Sequence, residues 1–113
     1  MMDHALKKML DGRRVRMKIT KNFLELIILR RIEGEPAHGY RILSDIRKVY
    51  GVSFSPSTVY PLLNNLELGG YIESKWETEK DRPRKVYSIT PEGKKLLEKA
   101  ANSFTQILNS LAT

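Results

Sequence analysis

The chain has 113 residues and a mass of 13.0 kDa, with 41% hydrophobic and 29% charged residues, which favours one folded domain over a disordered chain. The absence of cysteine excludes disulfides, thiolate zinc sites and cysteine nucleophiles. The sequence shows no apolar run of membrane-spanning length and no leader pattern, so we expect a cytoplasmic protein. The formal net charge of +7 points to a polyanion as partner.

The positive charge is concentrated in two places. Residues 1–21 carry seven basic and two acidic side chains, and a second excess of basic residues lies at positions 80–85. Each run alone is also compatible with a solvated surface. Together they indicate two regions that could neutralise phosphates.

The first third of the chain predicts a basic N-terminal segment and then a buried helix. Helical spacing over residues 3–10 predicts a short helix, whereas apolar and basic residues alternate over residues 14–19, which is typical of a strand or an extended arm. Thr20 is placed to cap the next element. Residues 22–32 are apolar nearly all round and predict a first main helix, buried on more than one side and ended by Gly34.

Two more helices follow, separated by a short turn. Residues 40–50 have an amphipathic helical pattern that Gly51 is placed to end. The next helix begins near Ser55, the expected N-cap, with Pro56 at its first helical position. Because Pro61 lacks an amide hydrogen, we expect a tight or kinked first turn.

The last part of the chain predicts a β-hairpin and a long helix. Residues 71–78 and 84–90 are short strand-like runs separated by charged turn residues, and Trp76 is expected to pack on the body. Thr90 and Pro91 then begin a helix that runs nearly to the end of the chain. Such a helix is about 30 Å long, more than a small body can cover, so we expect a partner subunit. The expected dimer contacts are Leu97, Ala101, Phe104, Leu108 and Leu111.

This order of elements predicts a mainly α fold with a small β-hairpin: a winged helix-turn-helix over residues 22–90 and a C-terminal dimerisation helix over residues 91–113. Residues 1–21 form the basic N-terminal helix or arm. In such a fold the helix after the turn enters the major groove of DNA, and the hairpin, or wing, reaches the backbone or the minor groove beside it. The candidate DNA contacts on this recognition helix are Ser55, Ser57, Thr58, Tyr60, Pro61, Asn64 and Asn65. The candidate wing contacts are Lys80, Arg82, Arg84 and Lys85, and weaker candidates are Tyr40, Arg41, Arg13, Arg14 and Arg16.

Four segments in this order resemble the PadR-like transcriptional regulators: HGY at 38–40, SPSTVYPLLNNLE at 55–67, GGYIES at 69–74 and RPRKVYSITPEGK at 82–94, within a match over residues 22–99. The resemblance implies a winged-helix homodimer of the short class that binds palindromic operators and usually represses. Short members of the family that sense drugs hold flat aromatic ligands at the dimer interface, so the resemblance also points to a small planar apolar effector near Phe104. The alternative for Phe104 is a plain role in the core. Asn64 and Asn65 stand where family members often have Lys or Arg, and the basic N-terminal segment is longer than the common pattern.

Other functions have little support in the sequence. His4 and His38 lack carboxylates at metal-ligand spacing, and His38 is expected to cap or pack at a helix entrance. Ser57 lacks the surroundings of a hydrolase nucleophile, and no phosphate-binding glycine loop is present. We therefore expect no catalytic residues, metal or cofactor. The alternative to a DNA-binding regulator is a winged helix used as a protein-interaction or architectural module.

Overall fold

The computed structural model describes residue 4, residues 12–79 and residues 82–112. Within these ranges, the helices are α1 (Arg13–Asn22), α2 (Leu24–Gly34), α3 (Gly39–Tyr50), α4 (Pro56–Leu68) and α5 (Pro91–Ala112), and the strands are β1 (Ala37–His38), β2 (Ile72–Glu77) and β3 (Arg84–Ile89). The mainly helical fold with a small β-sheet is confirmed. Apart from residue 4, the segment 3–10 for which a helix was expected lies outside the described residues, and so does the wing residue Lys80.

The prediction of a strand or extended arm over residues 14–19 is wrong, because these residues belong to helix α1. Two of the three alternating apolar residues, Val15 and Ile19, are also four apart and so share one side of a helix. Thr20 does not cap α2. Its hydroxyl is buried and donates to the carbonyl of Arg16 at 2.6 Å, within α1.

Helix α2 runs through the centre of the core, as its nearly continuous apolar sequence predicts. Leu24, Ile28, Leu29 and Ile32 are each at most 1% exposed. They pack in one cluster with buried residues of the other elements: Ala37, Ile42, Ile46, Val59, Leu63, Leu66, Ile72 and Tyr87. Burial of these side chains is the main term that holds the helices and the sheet together.

Helices α3 and α4 form the predicted helix-turn-helix. Gly51 ends α3 in the left-handed conformation with φ 70°. Ser55 is the N-cap residue of α4, but its hydroxyl contacts the hydroxyls of Ser57 and Thr58, at 2.8 and 3.2 Å, rather than a backbone amide. The first turn is tight, as expected from Pro61, since the N–H of Thr58 bonds to the carbonyl of Ser55 three residues earlier.

The sheet is antiparallel with strand order β1-β3-β2. The wing hairpin pairs Ile72 with Ile89 and Glu77 with Arg84, and β1 adds Ala37 opposite Tyr87. Strand β1 was not predicted, because a strand of two residues carries no detectable alternation. This strand joins the segment that leads into α3 to the wing.

Helix α5 begins as predicted, with the hydroxyl of Thr90 accepting from the N–H of Gly93 at 3.1 Å. Gly93 is buried against Tyr71, just before β2, and Ile89 at the end of β3. A Cβ there would stand 2.1 Å from the carbonyl oxygen of Tyr71. The first half of α5 packs on α2, whereas Leu108 and Leu111 in the second half are 49% and 77% exposed. No helix of the described ranges is long and apolar enough to cross a membrane.

A partly buried ion-pair network joins α2 to α3. Arg31 contacts the carboxylate of Asp45, which Arg41 also approaches at 3.2 Å. Burial alone would raise the pKa of Asp45, but the hydrogen bonds and positive charges of Arg31 and Arg41 outweigh it, and the net pKa is lowered from 3.8. Arg41 is therefore already paired within the protein.

Candidate nucleic-acid interface

The outer face of α4 carries polar side chains without charge. The exposed residues of this face are Ser55, Ser57, Pro61, Asn64 and Asn65. Hydroxyl and amide groups at the start of a recognition helix have the chemistry to hydrogen-bond base edges and phosphate oxygens. This face is open for such contacts, and Thr58 lies half-buried beside it.

Tyr60 was expected to point outward, but the structure places it half-buried over the start of α3. A Cβ on Gly39 would lie 2.2 Å from the Tyr60 hydroxyl oxygen, so glycine at position 39 makes room for this ring. Burial raises the pKa of Tyr60, and neighbouring Tyr40 and Tyr87 raise it further. Tyr60 therefore keeps a neutral hydroxyl and contributes to the junction of α3 and α4.

A groove of about 620 Å³ separates the wing from α3 and α4. Its lining combines aromatic and basic side chains with one amide: His38, Gly39, Tyr40, Tyr60, Asn64, Trp76, Arg82, Pro83, Arg84, Lys85 and Tyr87. No carboxylate is among these described lining residues. The groove therefore offers positive charge and hydrogen-bond donors to an anion.

The basic residues of the wing differ in their partners. Lys85 lies 3.5 Å from the carboxylate of Glu67 and 5.8 Å from the ring centroid of Tyr87, so part of its charge is neutralised internally. Glu67 also accepts from the hydroxyl of Ser74 at 2.5 Å, which ties α4 to the wing. Burial, and then the charge of Glu67, raises the pKa of the Tyr87 phenol.

Arg82 is exposed, and Arg84 lies 3.0 Å from the ring of His38. Among the described residues, neither arginine makes a salt bridge with a carboxylate. These two side chains are consequently the wing cations best placed to meet phosphates.

Trp76 is 66% exposed, so its predicted packing on the body is wrong. It shares a strand face with buried Ile72, four residues earlier, but the hairpin has extended beyond the helical body at that point. Trp76 and exposed Tyr40 instead line the groove. The alternation of apolar and polar residues along β2 shows on which face of the strand Trp76 lies. It does not show how far along the strand the helices still cover that face.

The weaker basic candidates are arranged differently. Arg13, Arg14 and Arg16 are exposed on α1, and none of them lines the groove beside the wing. The structure therefore does not bring them together with Arg82 and Arg84. Arg41 lies in the first turn of α3, where it is exposed and paired with Asp45.

A second, apolar groove of about 320 Å³ lies between α1, α2 and α5. Phe104 closes one side and packs edge-on against Phe23 of the same chain, with ring centroids 4.6 Å apart. Of the residues expected at a dimer interface, Leu97 and Phe104 are half-buried by their own chain, whereas Ala101, Leu108 and Leu111 are exposed.

The described histidine and carboxylate side chains are not gathered into a metal site. No group of three or more His, Asp or Glu side chains that could hold a metal occurs in the described ranges. His38 caps α3, as one of the two roles expected for it, by accepting at Nδ1 from the N–H of Arg41.

A helix-turn-helix followed by a hairpin beside the exposed face of its second helix is a winged helix, a class of DNA-binding fold. The family model described as "Transcriptional regulator PadR-like family" matches residues 28–99, and the chain belongs to this family. The family consists of transcriptional regulators and not of enzymes.

The sequence is similar to two named regulators. It is 37% identical over 76 residues to the transcriptional activator GvpE1 of Halobacterium salinarum, which covers 66% of this chain and 38% of GvpE1. It is 32% identical over 74 residues to the transcriptional regulator Rv3488 of Mycobacterium tuberculosis, which covers 66% of this chain and 68% of that protein. The chain thus spans well under half the length of GvpE1.

Solved structures share the fold. A PadR-like transcriptional regulator from Bacillus cereus superimposes with a TM-score of 0.75 at 27% identity, covering 83% of this chain and 92% of that one. A PadR family regulator from Eggerthella lenta superimposes with a TM-score of 0.84 at 24% identity, over 97% of this chain and 95% of that one. The second likeness extends along nearly the whole chain.

Proposed function

We propose that this protein is a sequence-specific DNA-binding transcriptional regulator that acts as a homodimer on a palindromic operator in the cytoplasm, where the DNA is. The observation that carries the proposal is the pairing of an uncharged polar face on α4 with a basic groove beside the wing. Base readout requires hydrogen-bonding groups at the helix, and binding to the DNA backbone requires cations at its flank. This chain carries the two on neighbouring surfaces.

The two surfaces have different proposed roles. Ser55, Ser57, Thr58, Asn64 and Asn65 contact base edges and nearby phosphates, with Tyr60 and Pro61 shaping the helix start. Arg82, Arg84, Lys85 and Lys80 of the wing contact the backbone, as more weakly do Tyr40, Arg41, Arg13, Arg14 and Arg16. Lys85 contributes less than the two arginines, because Glu67 already neutralises part of its charge.

The proposed dimer uses α5. This helix continues to residue 112, and its second half exposes Ile107, Leu108 and Leu111. A second copy would cover these side chains and place two recognition helices on one duplex. Functionally, residues 1–21 then form a basic N-terminal segment, residues 22–90 the DNA-binding unit and residues 91–113 the dimerisation helix.

The proposed effect on transcription is repression, which needs only that the dimer occupies DNA required by a polymerase. Two similar proteins, GvpE1 and GvpE of Haloferax mediterranei, are named activators. A reporter gene placed behind the operator distinguishes the two: its expression should rise when the regulator is removed. A fall on removal would establish activation.

The salt dependence of DNA binding tests the division of roles. Each phosphate neutralised contributes about 0.9 to the slope of log affinity against log salt. Arg82→Ala and Arg84→Ala should each flatten this slope by about one and weaken operator and random DNA alike. Asn64→Ala should leave the slope unchanged and alter which operator sequence is preferred.

Lys85→Ala is the matched control for the wing, and we expect a smaller change of slope for it. The measurement is a binding titration with operator and random duplexes at several salt concentrations, after operators have been selected from genomic fragments. Equal affinity of the wild type for all fragments would instead support an architectural module. No binding to any fragment would support a protein-interaction module.

We further propose a small planar apolar effector in the groove between α1, α2 and α5. Its lining is almost entirely apolar and includes the rings of Phe23 and Phe104, against which a flat molecule can stack. A library of planar apolar compounds should contain members that raise the thermal stability of the wild type but not of Phe104→Ala. If no compound changes the thermal stability or the DNA affinity of the wild type, the groove is not an effector site.

A further inference from the structure

Trp76 is a large apolar side chain that lies open to solvent beside the basic groove. It is the only tryptophan of the chain, and 66% of its surface is exposed. A single exposed ring on a protein surface needs no explanation by itself. This ring, however, lines the groove between the wing and the helix-turn-helix, together with the cations that are proposed to meet DNA.

The strand register shows toward which element Trp76 is turned. Ser74 and Ile72, two and four residues earlier on β2, lie on the same face of the strand. Ile72 is buried in the core, and the hydroxyl of Ser74 donates to Glu67 of α4. Lys85, which is opposite Trp76 in the ladder, approaches the same carboxylate. Trp76 therefore lies on the face of the wing that is turned toward the recognition helix.

The groove around Trp76 is suited to a partner that is both anionic and partly apolar. Arg82 and Arg84 line it from the wing, Asn64 lines it from α4, and the described part of its lining contains no acid. A protein surface that covered the indole by hydrophobic packing would also have to desolvate these cations, which is costly. In a DNA strand, apolar sugar faces alternate with phosphates, so one strand can meet the ring and the cations together.

We infer that Trp76 is a DNA-contact residue. Its indole face packs on a deoxyribose of the DNA backbone beside the recognition helix, and its Nε1–H donates to a phosphate oxygen. The indole has one donor and no acceptor, which matches a phosphate. The inference rests on the proposed DNA-binding function and adds to it an uncharged contact in the wing. Because sugars and phosphates are the same at every base pair, this contact contributes affinity and not base recognition.

The fluorescence of the wild-type protein tests this contact directly, because Trp76 is the only tryptophan that can emit. Acrylamide, a neutral quencher, should reach the exposed indole readily in the free protein. Saturation with a random-sequence duplex should lower the quenching constant by at least about twofold, since the sugar covers one face of the ring. Anisotropy of a dye on the DNA measures binding independently.

Substitution of Trp76 tests how much affinity the contact provides. Trp76→Ala should weaken binding to operator and random duplexes alike by about tenfold. The salt slope should be unchanged, in contrast to Arg82→Ala, because no charge is removed. Trp76→Phe keeps a flat apolar face but lacks the donor, so we expect an intermediate loss of about threefold.

Leu68→Ala controls for the removal of an exposed apolar side chain. Leu68 is 86% exposed at the end of α4 and does not line the groove. This variant should bind both duplexes like the wild type. Thermal unfolding followed by circular dichroism shows whether each variant is folded. If Trp76→Ala is unfolded, the quenching measurement still decides the question, because it needs no variant.

Failure of this contact can be distinguished from failure of the proposed function. If labelled DNA binds but the quenching constant stays that of the free protein, Trp76 lies outside the interface and the inference is overturned, although DNA binding stands. Wild-type affinity of a folded Trp76→Ala would also overturn it. A loss confined to the operator would place the ring against bases and contradict the backbone contact. If the wild type binds no DNA at physiological salt, both fail together.

Discussion

Replacing Leu108 and Leu111 together by glutamate should convert the proposed dimer into a monomer and lower operator affinity by at least about 100-fold. Both side chains are largely exposed within one chain, so the change removes little of the chain's own packing. A dimer gains affinity because binding of the first half-site makes the second event intramolecular, and a monomer loses this gain. Light scattering gives the mass, and titration with a palindromic and a single half-site duplex gives the affinity.

The matched control is Asn102→Glu combined with Gln106→Glu, which adds the same charge at exposed polar positions of the same helix. It should remain dimeric and bind the palindrome with nearly wild-type affinity. Phe104 is less suitable for this experiment, because it packs on Phe23 of its own chain and its replacement would also disturb the monomer. A wild type that is monomeric at working concentration would contradict the proposed dimer.

Gly93→Ala should be among the most destabilising methyl additions possible in this chain, by about 3 kcal/mol. The added Cβ would stand 2.1 Å from the carbonyl oxygen of Tyr71, which is backbone and already accepts from the N–H of Thr90 at 3.1 Å. Relief requires α5 to move away from the strands or this hydrogen bond to break. Denaturant unfolding monitored by circular dichroism measures the free energy of unfolding.

Gly34→Ala is the control for this substitution. Gly34 is also helical, but nothing lies within 4 Å of a Cβ built there. Alanine should therefore be neutral or slightly stabilising, through its higher helix propensity. Equal stability of the Gly93→Ala variant and the wild type would show that α5 is not held tightly against Tyr71.

Much of the fold could be predicted because its signals are local. The N-cap and proline at the start of α4, the left-handed glycine after α3 and the threonine cap of α5 are each encoded within a few residues. The prediction for residues 14–19 was wrong because the spacing of their apolar residues fits both a strand and a helix. Strand β1 was missed because its existence depends on pairing with β3, far away in the sequence.

The site was less predictable than the fold, because its details depend on contacts between elements. The sequence identifies Tyr60 as polar and helical, but only the glycine at position 39 makes room to bury its ring. Lys85 and Arg84 are adjacent basic residues, yet Lys85 pairs with Glu67 whereas Arg84 contacts the ring of His38. The exposure of Trp76 could not be predicted, because it depends on how far the hairpin extends beyond the helices.

Strand β1 and Glu67 tie the wing to both helices of the helix-turn-helix, so that these elements form one rigid unit. The sheet joins the entry of α3 to the wing, and Glu67 of α4 holds both wing strands through Ser74 and Lys85. The first half of helix α5 packs on α2, whereas Leu108 and Leu111 in its second half are exposed. In the proposed dimer, an effector that moves α5 would therefore change the distance between the two DNA-binding units without deforming either of them. It would change the spacing between half-sites that the dimer tolerates. The bases that each unit recognises within its half-site would stay the same.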